Sequence, residues 1–369
     1  MTSSISRKRF LRSAGMGALA AGTAAAALPA PAIAEQRREL KMASAWVKNF
    51  PGFGTAAERL AKRITEMSDG RMSVKVFAAG ELVPPFEVFD AVSSGTADLY
   101  HGVEFWWQGK SKAFNFFTTT PFGLTPTEIK SWVYYGGGQV LWDELAARYN
   151  VKSFLVGNPG VQMGGWFRKE INSLADFQGV KMRMGGFGGA VIERVGATAV
   201  SIPGTEVFQA LQSGTIDATE WVGPWNDMAK GFQQVAKYYY YPGWHEPSSN
   251  VSAGFNLDLW NDLSASERAI IVSACQAEND EMQAEFHYNN GTALENLVTR
   301  DGVQLRPYSD DVLLALGKTA REVVAEAATE DAFTQKVYNS YMAFHAEARR
   351  VTESSDQPFA RARSLVFEG

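Results

Sequence analysis

The sequence is short of the residues on which many exported scaffolds and catalytic centres depend. A single cysteine, Cys275, among 369 residues excludes an intrachain disulfide framework. Four histidines, all far apart in sequence, give little material for a histidine-built metal or proton-transfer centre. Basic residues are outnumbered by acidic ones, 35 to 40, and no long Lys/Arg block occurs, which argues against nucleic acid as a partner. No stretch holds the ~20 strongly apolar residues that span a bilayer, so direct membrane insertion is not expected. What is present is 46% hydrophobic and 20% charged residues, enough for one large or two ordinary domains with real cores.

The first 34 residues distort the charge balance. Arg7, Lys8, Arg9 and Arg12 precede an Ala/Gly-rich stretch from Ala14 to Leu28, and Ala32-Ile33-Ala34 closes it with a small-x-small cleavage pattern. This reads as a signal peptide, residues 1–34. Ser6-Arg7-Lys8-Arg9-Phe10-Leu11-Arg12 resembles the twin-arginine signal but carries Lys8 at the second arginine position, so twin-arginine and general secretion both stay open. Without the leader, basic and acidic residues stand at 31 to 40 over 335 residues, a net of -9. The expected location is the periplasm, where a lone thiol on the helix around Ile270 to Gln276 is a core residue without chemistry.

From Leu40 onward, short apolar strands alternate with amphipathic helices: Leu40 to Trp46, Thr55 to Ser68, Met72 to Phe77, Pro85 to Ser93. This rhythm predicts an α/β fold. The chain also repeats itself. Val88 to Asp98 aligns without gaps on Val207 to Asp217, seven of eleven residues identical, a period far too long for a solenoid. Two lobes carrying the same helix-strand unit explain it, with boundaries at 35–157 (continued by part of 248–369) and 158–247. The residues after each Asp, Tyr100-His101-Gly102 and Thr219-Glu220-Trp221, then fall at equivalent strand ends, where open α/β sheets bind ligands. Residues 262–369 change character to long helical patterns, Leu263 to Arg300 and Asp310 to Thr352, opened by a capping box of Ser264 and Glu267. They could cover the lobes or form an oligomer seam.

Catalytic motifs fail on inspection. Gly109-Lys110-Ser111 lacks the phosphate-loop glycine at Glu104; Gly109 to Ala113 lacks the last glycine of a nucleophile elbow. His245-Glu246 has Ser249 where a zinc-protease helix needs its second histidine. Gly186-Phe187-Gly188 has Val191 where the dinucleotide fingerprint closes with glycine. A binding protein is therefore expected rather than an enzyme. Four features support it, three in the second lobe and one shared by both. Gly179 to Gly186 is a short strand carrying Arg183 into a glycine turn before a helix from Ala190 to Val195; an arginine beside a helix N-terminus suits an anion, although a structural salt bridge is an equal reading. Gln162 lies in a strand-like run bounded by glycines. Glu220 would repel a bound anion by about 1 kcal/mol at 4 Å in water and about four times that at an effective dielectric of 20, so it either faces away or shares a cation with the ligand. Aromatics crowd both lobes, Tyr100 to Phe122 and Trp221 to Trp244, and a few would wall a small pocket.

Taken together, the Phe-x-Ala-x-x-Ser-Gly-Thr-x-Asp motif at Phe89 to Asp98 and Phe208 to Asp217, the Gly179-Val180-Lys181-Met182-Arg183 strand and the long C-terminal helices resemble the solute-binding subunits of TRAP (tripartite ATP-independent periplasmic) transporters, over essentially the whole mature chain. The resemblance implies a two-lobed, clamp-type periplasmic binding fold with Arg183 holding a carboxylate. Gln162 and Glu220-Trp221 look like the branch that binds 2-oxo acids or lactate with a cation, sodium or calcium, on Gln162, Glu220 and the Trp221 carbonyl. Tyr100, His101, Trp221 and His245 are its further ligand contacts. The implied partners are a small monocarboxylate, the integral-membrane transporter subunits and a second copy of the chain in a homodimer; a dicarboxylate or sugar acid, or an exported enzyme acting on a carboxylate, are the alternatives.

Overall fold

The computed structural model describes residues 37–367; the expected signal peptide, residues 1–34, lies outside them. Strands β1 (Arg38–Ser44), β2 (Met72–Phe77), β3 (Leu99–Gly102) and β4 (Val151–Gly157) are followed by β5 (Gly165–Phe167), β6 (Lys181–Arg183), β7 (Thr198–Val200) and β8 (Ala218–Thr219). Then come β9 (Tyr238–Tyr241), β10 (Val251–Asn256) and β11 (Gln304–Pro307). They form two sheets, ordered β2-β1-β3-β10-β4 and β11-β9-β5-β8-β6-β7. Within the first, β1 pairs in parallel with β2 and β3, and β10 runs antiparallel to β3 and β4. In the second, β6 is parallel to β7 and β8, while β5 is antiparallel to β8 and β9. The α/β fold expected from the alternation and the two lobes expected from the internal repeat are what form.

The internal repeat has a structural cause. In each copy a short helix, Val88–Ser93 or Val207–Ser213, is followed by a glycine with positive φ, Gly95 or Gly214, and an Asp that pins the next strand. Asp98 Oδ2 accepts from Lys41 N at 2.7 Å and its N–H donates to Lys41 O. Asp217 makes the same pair of contacts with Lys181, 3.0 Å from its Oδ2. The motif is therefore a clamp joining a helix-turn to the neighbouring parallel strand, β1 in one sheet and β6 in the other. It sets Ala43 opposite Tyr100 and, equivalently, Arg183 opposite Thr219.

The chain passes from β4 to β5 through 158–164 and returns from β9 to β10 through 242–250. These segments lie side by side: Gln162 N donates to Glu246 O, Gly243 N to Gln162 O, and Asn158 Nδ2 to Ser248 Oγ and Asn250 Oδ1. A third passage is the Ala265–Thr299 helix, opened by the Ser264–Glu267 capping box. It buries Met282 against Gly157 and Phe286 against Phe53 and Trp225, and Asn290 Oδ1 accepts from Trp225 N. The expected helix from Asp310 to Thr352 is instead two, Asp310–Ala327 and Ala332–Ser354. Asp331 ends the continuity, because its carboxylate caps Phe333 N and Thr334 N at 2.7 and 2.8 Å, a local bond that competes with helical backbone pairing.

Under β3 and β10 the first lobe buries an acid. The Tyr100 hydroxyl donates to Glu104 Oε1 at 2.5 Å and lies 3.1 Å from Ser153 Oγ. Gly254 of β10 is required beside it, since a Cβ there would meet the Tyr100 ring at 2.1 Å. Burial pushes the Glu104 carboxyl from 4.5 up to about 7. A raised pKa in the folded state means stability that is fully present below about pH 4.5 and is lost as pH rises through 7. We expect wild-type stability to fall across this window by roughly 3 kcal/mol on account of this group. Glu104→Gln should remove that component; urea denaturation at pH 5 and pH 8 measures it, and parallel pH profiles for the two proteins would contradict it.

Candidate carboxylate and cation site

Parallel pairing of β6 with β8 brings two strand ends to the same level, and Glu220 N donates to Arg183 O at 3.2 Å. The side chains then meet: Arg183 Nη1 donates to Glu220 Oε1 in an ion pair in which both partners are buried. The guanidinium also stands 5.3 Å from the Trp221 ring centroid. The crossing segments supply the rest. Gln162 Nε2 donates to Glu246 Oε2 at 2.8 Å, and His245 Nε2 lies 3.5 Å from Glu220 Oε2. Arg183, Glu220, Trp221, Gln162 and Glu246 converge on a small cavity of about 30 Å³, lined on its other side by Trp46, Phe53, Phe105 and Trp106. That is far below the ~300–1,000 Å³ of drug-sized pockets.

Buried polar atoms here lack partners: Gln162 Oε1, Glu220 Oε2, and both ring nitrogens of His245. An unpaired buried acceptor costs ~1–3 kcal/mol, so these atoms mark a place made for something else. Ligand atoms of Glu220, His245 and Glu246 lie within 4.8 Å of one another. Burial, and then the charge of Glu220, push the Glu246 carboxyl up to about 8. Amide, carboxylate and main-chain oxygens together suit a hard cation, and one positive charge among these acids would relieve their repulsion.

Two residues fix the loop that follows β8. Asp227, on the helix Pro224–Lys230, accepts from Val222 N and Gly223 N through Oδ1, at 3.0 and 3.1 Å. Its Oδ2 accepts from Trp166 Nε1 and the Tyr239 hydroxyl, at 2.9 and 2.7 Å. Burial pushes this carboxyl up to about 7 against the pull of the side-chain and backbone donors. Lys230 donates to Gly204 O at 2.9 Å and lies over the rings of Phe50 and Trp221, 4.6 and 4.7 Å from their centroids. Phe50 follows β1, so one ammonium staples the two lobes where Trp221 meets Phe50 edge-on. Burial lowers the Lys230 pKa to about 8.

Of the residues expected at the site, Arg183, Gln162, Glu220 and Trp221 line this cavity. His245 does not line it; its Nε2 lies 3.5 Å from Glu220 Oε2. Tyr100 is corrected: its ring is core and its hydroxyl is spent on Glu104. His101 does not reach the cavity either; its Nδ1 accepts from Trp46 Nε1 at 2.7 Å, so it sets the Trp46 wall, and burial lowers its pKa to about 3. Equivalence of the two repeats puts Tyr100 in the register position of Thr219, but Tyr100 and His101 lie inside β3 rather than at its end, and side-chain direction there sends Tyr100 into the core. Sequence reasoning missed Glu246, Asp227, Trp46 and Lys230. Glu246 was in view only as part of a failed zinc motif; Asp227 and Lys230, on one short helix, carried no signal of their own.

A family model described as bacterial extracellular solute-binding protein, family 7, matches residues 42–331. A monocarboxylate 2-oxoacid-binding periplasmic protein of Nostoc sp. is 40% identical over 323 residues, covering 87% of this chain and 88% of that one. A TRAP periplasmic solute binding protein from Pseudoalteromonas atlantica, with bound sodium and pyruvate, is 38% identical with a TM-score of 0.85, covering 88% and 99% of the two chains. Another from Colwellia psychrerythraea, with bound calcium and pyruvate, is 36% identical with a TM-score of 0.86 and the same coverage.

If Asp227 holds the Trp221–Gly223 loop in place, Asp227→Asn, which keeps the volume but loses acceptor capacity, should destabilise the protein by about 1–3 kcal/mol. Urea denaturation reads this; an unchanged midpoint and slope would remove Asp227 from the account.

Proposed function

The chain belongs to the bacterial extracellular solute-binding proteins, family 7, and on that premise we propose that it captures a small 2-oxo or 2-hydroxy monocarboxylate, of the pyruvate or lactate type, together with a metal cation, in the periplasm and delivers it to the membrane subunits of a TRAP transporter. The observation that carries this reading is the buried Arg183–Glu220 pair beside the partnerless oxygens of Gln162 and Glu220. The 2-oxoacid-binding Nostoc relative and the pyruvate-holding structures with sodium or calcium agree with it. The small cavity favours a ligand of a few heavy atoms over a sugar acid. No helix among the described residues is long and apolar enough to cross a membrane, in keeping with a receptor that hands its cargo to separate membrane subunits.

Arg183 offers its planar fork to the ligand carboxylate. Gln162, Glu220 and the Trp221 carbonyl would hold the cation, which would supply the positive charge that lets an anion bind beside Glu220. Trp46, Phe105 and Trp106 exclude water, strengthening each charge interaction in the cavity. The lobes, 35–157 with part of 248–369 and 158–247, close about the crossing segments, and Lys230 ties the closed form together across Phe50 and Trp221. Ligand favours closure by binding the closed state better. The terminal helix Asp356–Phe367 leaves Phe359, Leu365, Val366 and Phe367 exposed, an apolar face suited to a second copy in a homodimer. Deleting residues 356–369 should yield a monomer by light scattering, and an unaltered mass would remove this helix from the seam.

Arg183 and Glu220 neutralise each other, so an anion taken alone would strand Glu220 and a cation taken alone would crowd Arg183. The two ligands must therefore bind cooperatively. Chelation and desalting should weaken pyruvate binding at least tenfold by calorimetry, with pyruvate tightening the cation by the same factor. Arg183→Lys, which keeps charge but loses the fork, should cost more than tenfold. Pyruvate affinity indifferent to chelation, or unchanged in Arg183→Lys, would refute the reading.

A further inference from the structure

We infer that Gly185 is the residue that permits the two lobes to close: only a hydrogen at this position leaves room for Phe105 of the first lobe to seat against the turn behind Arg183. Affinity for the carboxylate then depends on a residue that does not itself line the cavity. This rests on the reading of the cavity as a carboxylate site between two closing lobes, and names what closure requires.

Residues 185–187 carry the chain from β6 into the helix Gly186–Arg194 of the second lobe. Each of the three meets one residue of the first lobe. A Cβ on Gly185 would stand 2.7 Å from Phe105 Cε2, and 3.5 and 3.6 Å from two further atoms of that ring. One on Gly186 would stand 3.0 Å from Asn115 Oδ1. The Phe187 ring lies edge-on to Phe116, with 5.5 Å between centroids. Asn115 is buried, and its Nδ2 donates to Gln108 Oε1 and Lys112 O at 3.3 and 3.1 Å, which leaves Oδ1 on the side of Gly186 and without a partner.

The backbone separates the two glycines. Gly186 has a φ of 58°, a region that side chains rarely enter, so its own lobe already demands glycine there. Gly185 has φ -100° and ψ -179°, extended geometry open to any residue. Chain neighbours aside, the three heavy atoms nearest to its missing Cβ all belong to Phe105, so the demand for glycine comes from the other lobe. Carbon–carbon contact settles at ~3.5–4.0 Å, well beyond the 2.7 Å on offer. Phe105 has little freedom to give way: its N–H donates to Thr118 Oγ1 at 3.1 Å, and its ring is buried, edge-on to Trp106, and lines the same small cavity as Arg183. A methyl group at 185 therefore drives the ring into the ligand's space or holds the lobes apart, and either outcome weakens the closed state alone.

The test measures binding and lobe separation in the mature chain. Calorimetry with sodium pyruvate in calcium chloride reads affinity. Spin labels at E87C and E206C, exposed positions ahead of the two repeat helices, read the distance across the cleft, with Cys275 buried and out of reach of the label. G185A should bind pyruvate at least about tenfold more weakly and unfold cooperatively in urea, with the short distance of the closed form depleted. F105L removes the ring atoms that the methyl group meets, so in that background the same substitution should cost less than about threefold, whatever F105L costs by itself. Wild-type affinity in G185A overturns the inference, as does an equal loss in the two backgrounds, which would place the effect inside the second lobe. Failure of G185A to fold in both backgrounds overturns it too, since the second lobe itself would then require the glycine. The labels keep this outcome apart from the ligand class. If pyruvate neither binds nor shortens the distance in the wild type, the proposed ligand falls and Gly185 is judged on the ligand-free distances. A closed population that G185A removes and G185A/F105L restores supports it; a wild type without one, or one that G185A leaves in place, overturns it.

Discussion

The site turns on one ion pair taken out of water. Arg183 and Glu220 have little exposure, and each is the other's ion-pair partner there. Such a pair is a poor source of stability, because desolvation offsets most of its attraction. On the proposed reading it is, however, a compact way to hold two opposite binding sites in one place: an anion and a cation arriving together would replace both partners without leaving either charge bare. The clamp of the Asp217 repeat onto Lys181, the Asp227 bonds to the Trp221–Gly223 loop and the His101 bond to Trp46 all hold this pair and its walls in register.

The division of labour follows the two copies of the repeat. The same Asp-to-strand clamp builds both lobes, yet the equivalent positions diverge in chemistry. Where the second lobe puts Arg183 on β6, the first has Ala43 on β1, and where the second has Glu220, the first has His101 bonded to a tryptophan. One lobe therefore carries the charges and the other supplies the apolar wall. The chain's overall excess of acidic residues does not bear on this, since the charged side chains of the site are buried.

Much of this was legible from sequence. Periodicity gave the α/β alternation, self-comparison found the repeat whose hydrogen bonds prove identical, and Ser264 with Glu267 marked a helix start to the residue. Arg183, Gln162, Glu220 and Trp221 line one cavity, though they come from three separate stretches of chain. What could not be read were facts of direction and of distance. Tyr100 and His101 are adjacent, and only the pleat of β3 decides which faces Trp46. Glu246 carries no motif, and its nearness to Glu220 exists only because 158–164 and 242–250 run side by side. Asp331 broke a helix that composition favoured, through a cap that looks in sequence like any other exposed acid.

Those crossing segments carry a mechanical consequence. On the proposed reading, the cation's ligands lie on a crossing segment, Gln162, or on the second lobe, Glu220 and Trp221, while Trp46, Phe105 and Trp106 belong to the first lobe. Those ligands would stay together as the lobes turn, so a small opening would move the aromatic wall off the organic acid before it disturbs the cation cage. The acid would then be the exchangeable cargo of each cycle, and the ion the more slowly turning-over resident.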